Sequence, residues 1–114
     1  MRTFHYTEVP AEPAPDLPGV RLRWVMGKNV DAPNYATRVI AVEAGAATEY
    51  HAHPWEHEVF VLQGSGLVRG ADDVETSICP GMCVYVAPDE IHQFLNFGSV
   101  PLEFICIIPN TAGD

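Results

Sequence analysis

Short apolar segments separated by turn signals constrain the fold of this 114-residue chain more than any other feature. Seven segments rich in Val, Ile and aromatic residues are typical of strands: residues 20–26, 37–43, 58–62, 66–69, 74–79, 83–87 and 102–108. Glycine, proline and aspartate mark the turns between them, and no window has the period of an amphipathic helix. The length leaves room for one hydrophobic core, so we predict a single domain over residues 1–114.

Many short strands without intervening helices favour an antiparallel sandwich or barrel over a parallel sheet. We therefore predict an all-β jelly roll. Four prolines within residues 10–18 predict a surface connector in place of a paired strand. Residues 3–9 are predicted to form an edge strand or a strand exchanged with a partner chain.

Charge and hydropathy narrow the classes of partner and the compartment. Fifteen acidic residues against six basic ones give a net charge of −9, which disfavours binding to nucleic acid or to an anionic membrane surface. The first residues lack an apolar signal segment, and no run of about 18 apolar residues occurs, so we expect a cytoplasmic protein. Cys79, Cys83 and Cys106 are odd in number and lack a CxxC spacing, which predicts free thiols.

Four histidines form the strongest chemical signal. His51, His53 and His57 fall within seven residues, and His92 follows a later proline turn. Odd-numbered positions of an extended segment share a face, although Pro54 bends the path between them. Neutral imidazole is the commonest metal ligand, and several buried imidazoles without an ion would leave ring nitrogens unpaired. The pattern predicts a metal site; its alternative is a solvated patch of surface histidines, as we expect for His5.

The spacing around the first three histidines resembles the first motif of the cupin family. Five residues separate Gly45 from His51, and His53 follows in an HXH pair. Six residues then separate His57 from Gly64, which closes the motif. His57 stands where the family usually carries a glutamate ligand. Glu58 fits the longer spacing that the family permits, but only His57 keeps Gly64 in register and stays in phase with the other histidines.

The region around His92 resembles the second cupin motif. Ten residues separate Gly81 from His92, and three residues separate His92 from Asn96, as in the family. Pro88 lies one place later than the family pattern, and Glu90 replaces its glycine, so we expect a differently built turn before His92. The two motifs cover residues 45–64 and 81–96.

More narrowly, the segment HPWEHEVFVL followed by PDEIH is similar to small single-domain cupins that hold manganese with four histidines. This resemblance implies a double-stranded β-helix barrel, a homodimer, and an ion held by His51, His53, His57 and His92 with two open positions. Four neutral nitrogens leave the full charge on a divalent ion, which favours an oxygen ligand. We predict Mn²⁺ as the bound ion from this resemblance, with Fe²⁺ as the next candidate and Zn²⁺, Ni²⁺ or Cu²⁺ as less favoured ones.

The resemblance also implies oxidative chemistry. We therefore predict a dioxygenase-like oxidoreductase acting on a small oxygen-bearing organic molecule. A non-catalytic binding module is the alternative, and a zinc-type hydrolase or isomerase ranks lower, because the HXHXDH pattern of metallo-β-lactamases is not met. No nucleophile elbow or phosphate loop occurs, and Glu56 and Glu58 are typical solvated strand residues. Pocket residues are predicted from aromatic content and from the last strand: Trp55, Phe60, Phe94, Phe104 and Cys106.

Overall fold

The computed structural model describes residues 1–110 of the chain. These residues contain nine strands and three single-turn 3-10 helices, joined by turns and loops. The strands are β1 (Glu12–Pro13), β2 (Val20–Met26), β3 (Tyr35–Val42), β4 (His57–Gln63), β5 (Gly66–Arg69), β6 (Glu75–Ile78), β7 (Cys83–Val86), β8 (Gln93–Leu95) and β9 (Leu102–Pro109). The 3-10 helices span Tyr6–Glu8, Lys28–Val30 and Ala71–Asp73.

The strands form two antiparallel sheets. A six-stranded sheet has the order β1-β2-β3-β9-β4-β7, and a three-stranded sheet has the order β6-β5-β8. Period-2 alternation turns one face of each long strand inward, and the core lies between the two sheets. This arrangement confirms the predicted all-β jelly-roll barrel. The largest fully buried side chains are Phe104, Leu102, Val42, Val61 and Asn96.

All seven predicted strands are present, with bounds shifted by two residues at most. Two predictions near the N-terminus are wrong. Glu12 and Pro13, within the predicted connector, pair with Leu22 and Arg21 of β2 at the sheet edge, where a missing proline N–H is tolerated. Within residues 3–9 the structure has the helix Tyr6–Glu8, because the His5 side chain accepts a bond from the Thr7 N–H and Glu8 accepts one from the His5 N–H.

A glycine fixes the turn between β4 and β5. Gly64 has a φ of +76°, and a Cβ at this position would lie 2.1 Å from the Pro101 carbonyl oxygen. Any other residue would therefore clash with the strand entry at β9. Among residues 1–110, no helix is long and apolar enough to cross a bilayer.

Candidate metal centre

Strand β4 presents His57 to the barrel interior. The burial of β4 alternates, so that His57, Val59 and Val61 face inward while Glu58 and Phe60 are exposed. His57 is only 6% exposed. Its partner in the ladder is Val86 of β7. The alternation therefore points Glu58 to the outer face, away from the other histidines.

His51 and His92 lie opposite each other in an isolated antiparallel bridge. The two backbone bonds between them measure 3.1 and 2.9 Å. The turn before His92 is built from Pro88, Asp89 and Glu90. Asp89 adopts a left-handed φ of 64°, and the Glu90 carboxylate accepts a bond from the Ala87 N–H at 3.0 Å.

The four imidazole rings converge at one end of the interior. Ligand nitrogens of His51, His53 and His92 lie within 4.8 Å of one another, which is close enough for one metal ion. The His57 ring centroid lies 4.9 Å from that of His92 and 5.2 Å from that of His53. Three histidines thus form a group that could hold a metal, with the fourth ring beside it.

Hydrogen bonds orient two of the rings. The Nδ1 atom of His92 lies 2.9 Å from the Glu90 carbonyl oxygen, which accepts only if Nδ1 carries the proton. The Nε2 lone pair of His92 is then free. Nδ1 of His57 lies 3.3 Å from the Cys106 sulfur. Nε2 of His57 is buried without a hydrogen-bond partner. Nδ1 of His51 is also buried without a hydrogen bond, with the Glu49 carboxylate 3.6 Å away.

These unpaired ring nitrogens test whether the residues fit a metal. Buried polar atoms without partners are rare, because each loses its bonds to water without compensation. A divalent cation would satisfy them, and imidazole nitrogen suits manganese, iron, zinc, nickel and copper alike. The donor set therefore fits a bound metal ion and does not select one element.

Burial holds the histidines in the neutral form that metals bind. Desolvation is the largest cause of the lowered pKa values of His51, His53 and His57, and the neighbouring histidines add to it. The pKa of His57 falls from 6.5 to about 3. At neutral pH these three rings therefore offer lone pairs without first losing a proton.

A largely apolar cavity of about 150 Å³ opens beside the histidines. Of the predicted pocket residues, Phe94, Phe104 and Cys106 line it. Trp55 stacks on His53 with ring centroids 4.5 Å apart but is not part of the lining. Phe60 lies on the outer face of β4, 43% exposed, because its even position alternates away from His57.

Sequence reasoning did not identify the other residues that line the cavity. Apolar walls come from Ala14, Leu17, Val20, Leu22 and Ile40, and polar groups come from Arg38, Thr48 and Glu49. A signal for Arg38 was present in the sequence. The even positions of β3 are apolar at Ala36, Ile40 and Val42, and an arginine on that same face is unusual.

Comparisons with known proteins agree with this architecture. A family model described as a cupin domain matches residues 38–108. The structure is similar to the polyketide cyclase RemF from Streptomyces resistomycificus, with 25% identity and a TM-score of 0.91 over 100% of this chain and 82% of that one.

A cupin 2 domain-containing protein from Halorhodospira halophila is 33% identical, with a TM-score of 0.77 over 84% of this chain and 68% of that one. A predicted oxalate decarboxylase from Thermotoga maritima shares the fold, with 20% identity and a TM-score of 0.81 over 95% and 98% of the two chains. No curated protein matches the sequence.

Proposed function

The chain belongs to the cupin family, and from that premise we propose that it is a metal-dependent enzyme acting on a small oxygen-bearing organic molecule. The observation that carries the proposal is the group of three histidines whose ligand nitrogens lie within 4.8 Å, at the wall of a mainly apolar cavity. Ligand sites combine an apolar enclosure with a few convergent polar groups in this way.

We propose His51, His53, His57 and His92 as the ligands. The unpaired Nε2 of buried His57 and its ring distances to His53 and His92 support the fourth position. We propose Mn²⁺ as the ion, from the resemblance to four-histidine cupins, with Fe²⁺ next. When bound, such an ion polarises substrate oxygens as a Lewis acid and exchanges electrons with dioxygen.

The chain's own residues orient the site and keep it dry. The Glu90 carbonyl fixes the His92 ring, and Cys106 contacts His57, so that both rings are held from behind. Phe94 and Phe104 stack with centroids 4.5 Å apart and form an apolar part of the cavity lining. A substrate of matching size would lie between these rings and the histidines.

For the reaction, we propose dioxygenase-like oxidation. Among the described residues that line the cavity, Glu49 is the one carboxylate, and its side chain is 71% exposed. These residues therefore include no buried carboxylate base, which favours chemistry driven by dioxygen over proton abstraction by a carboxylate. Dioxygen is the oxidant, and both of its atoms would enter the product, so the reaction needs no further electron donor.

Ring closure by Lewis-acid catalysis is the second candidate. The similarity to the polyketide cyclase RemF over the whole chain favours it. A substrate with several carbonyl groups would bind in the same cavity, and its reaction would consume no oxygen.

Oxygen uptake separates the two candidates. Protein loaded with Mn²⁺ or Fe²⁺ is mixed with catechols, 1,3-diketones and alkenes, in air and under nitrogen, with free metal as the control. Oxygen consumption above free metal, lost under nitrogen, supports the dioxygenase. A linear substrate with several carbonyl groups is included in the panel, and its conversion to a cyclic product under nitrogen supports ring closure. No turnover in either atmosphere would contradict both and leave a non-catalytic binding module.

We also propose a cytoplasmic homodimer. Cys79, Cys83 and Cys106 are free, which suits a reducing compartment. Exposed apolar side chains on the six-stranded sheet, including Phe60 and Leu62, suit a self-association surface. Light scattering should give twice the mass of 12.5 kDa, and Phe60→Glu should reduce it to the monomer mass. A monomeric wild-type protein would contradict the homodimer.

A further inference from the structure

Arg38 is a cation placed at the cavity wall. It lies in the middle of β3, where its ladder partner on β9 is Cys106. Its Nη2 donates to the Cys106 sulfur at 3.0 Å, and its guanidinium carbon lies 5.4 Å from the centroid of the Trp24 ring. Its Nε is buried without a hydrogen-bond partner. The side chain is thus held in one position while part of its bonding capacity stays unused.

No carboxylate of residues 1–110 forms an ion pair with Arg38, although Glu49 lines the same cavity. Among residues 1–110, the ion pairs are Arg69 with Glu75 and His51 with Glu49, and neither includes Arg38. The thiol that Arg38 contacts is a weak hydrogen-bond acceptor. Guanidinium carries five N–H donors and remains charged at every pH that proteins experience. A half-buried guanidinium without a counter-ion is therefore a site for an incoming anion.

Arg38 lies close enough to the histidines to act on the same molecule. The Cys106 sulfur joins them, because it lies 3.0 Å from Nη2 of Arg38 and 3.3 Å from Nδ1 of His57. The rest of the cavity lining is largely apolar and includes Leu22, Ile40 and Phe104, which are ladder neighbours on β2, β3 and β9. One small molecule can therefore reach both the guanidinium and the ring cluster.

We propose that Arg38 selects the substrate by binding a carboxylate, so that this enzyme acts on a small organic acid with an apolar body. The planar fork of guanidinium matches the two oxygens of a carboxylate. The inference rests on the proposed function for the identity of the site, and it names the substrate class that the site accepts. A second oxygen of the same acid would face the histidines.

Calorimetry with two matched probes tests the proposal. Benzoate and benzamide have nearly the same shape and differ in charge. Each is titrated into manganese-loaded protein and into chelator-treated protein. We expect benzoate to bind about tenfold more tightly than benzamide in both forms, which corresponds to one charge-assisted contact. Equal affinities for the two probes in the wild-type chelator-treated protein would overturn the proposal.

Substitutions assign the preference to the residue. Arg38→Met should abolish the preference for benzoate, and Arg38→Lys should retain part of it, because lysine keeps the charge but loses the fork. Arg69→Met is the matched control, since Arg69 pairs with Glu75 outside the cavity. A benzoate preference that survives Arg38→Met would overturn the proposal. If Arg38→Met fails to fold, the wild-type probe pair and Arg38→Lys decide.

Metal analysis distinguishes this failure from failure of the proposed function. A protein that retains manganese and consumes oxygen, yet does not discriminate benzoate from benzamide, contradicts the role of Arg38 alone. A protein that holds no metal but binds benzoate through Arg38 contradicts the metal-dependent function and leaves a carboxylate-binding module.

Discussion

The two ends of the barrel interior differ in whether their buried polar side chains form hydrogen bonds. At the closed end Asn96 is fully buried, and its side chain makes three hydrogen bonds, to the carbonyls of Val42 and Val100 and from the Gly98 N–H, at 2.8 to 2.9 Å. At the histidine end, Nε2 of His57 and Nδ1 of His51 are buried without a hydrogen-bond partner, and the Glu49 carboxylate lies 3.6 Å from the His51 atom. The two motif residues His92 and Asn96 are only four positions apart and lie on either side of this boundary.

This difference distinguishes residues that stabilise the fold from residues that are suited to bind a ligand. A satisfied buried amide stabilises one conformation, whereas an unsatisfied buried ring nitrogen costs free energy unless something binds it. Among the described residues, the buried side-chain nitrogen and oxygen atoms without a hydrogen bond belong to Arg38, His51, Trp55 and His57, all in or next to the ring cluster. The unpaired polar atoms therefore locate the site independently of the sequence motifs.

The largest expected effect comes from the closed end. Asn96→Leu keeps the side-chain shape and removes three hydrogen bonds, so we expect the free energy of unfolding to fall by about 4 kcal/mol. His57→Leu in metal-free protein should change it by less than about 1 kcal/mol, because Nε2 has no partner to lose and Nδ1 contacts only the weakly hydrogen-bonding Cys106 thiol. Urea unfolding with a chelator present measures both. Equal losses in the two variants would break the comparison.

Metal affinity, in contrast to the free energy of unfolding, should depend strongly on His57. Changes to residues behind a ligand weaken metal binding by about 10- to 100-fold, so losing a ligand in His57→Gln should weaken Mn²⁺ binding by about 100-fold or more. Glu58→Gln is the matched control, since Glu58 is exposed on the outer face. Competition with a chromogenic chelator measures both. Metal loss in Glu58→Gln with retention in His57→Gln would assign the ligand to the carboxylate.

Local patterns predicted much of this fold, and non-local contacts account for what they missed. Strand β4 and the inward position of His57 follow from alternation along one segment. The proximity of His92 to His51 follows from no local rule and was implied by the resemblance to the cupin motifs. Arg38 meets Cys106 only through the β3–β9 register, across 68 residues of sequence. The helix Tyr6–Glu8 depends on side-chain capping by His5, which competes with strand formation.

Acid should weaken the metal-free protein through the same unpaired rings. The pKa of His57 is about 3 in the folded protein, against an ordinary value of 6.5. Between these two values the unfolded chain binds a proton at this residue and the native state does not. Stability therefore falls as pH falls. We expect a loss of about 2 kcal/mol from this residue between pH 6.5 and pH 5.

Urea unfolding at several pH values in this range tests the effect. The lowered pKa values of His51 and His53 act in the same direction, so His57→Leu should reduce the slope without removing it. Saturating Mn²⁺ should raise the stability at pH 7 and lose this effect in acid, because protons compete for the ligand nitrogens. A slope that is identical in wild type and His57→Leu would contradict the assignment of the buried neutral ring.

The smallest effect concerns the contact behind His57, where the histidine end has a polar bond of its own. If the Cys106 sulfur accepts the Nδ1 proton of His57 across 3.3 Å, it directs Nε2 toward the metal. Cys106→Ala should then weaken Mn²⁺ binding by about tenfold. Cys106→Ser should restore most of the affinity, because a hydroxyl oxygen also accepts. Equal losses in the two variants would mean that Cys106 contributes packing alone, and the histidine end would then lack the orienting bonds that fix Asn96 at the closed end.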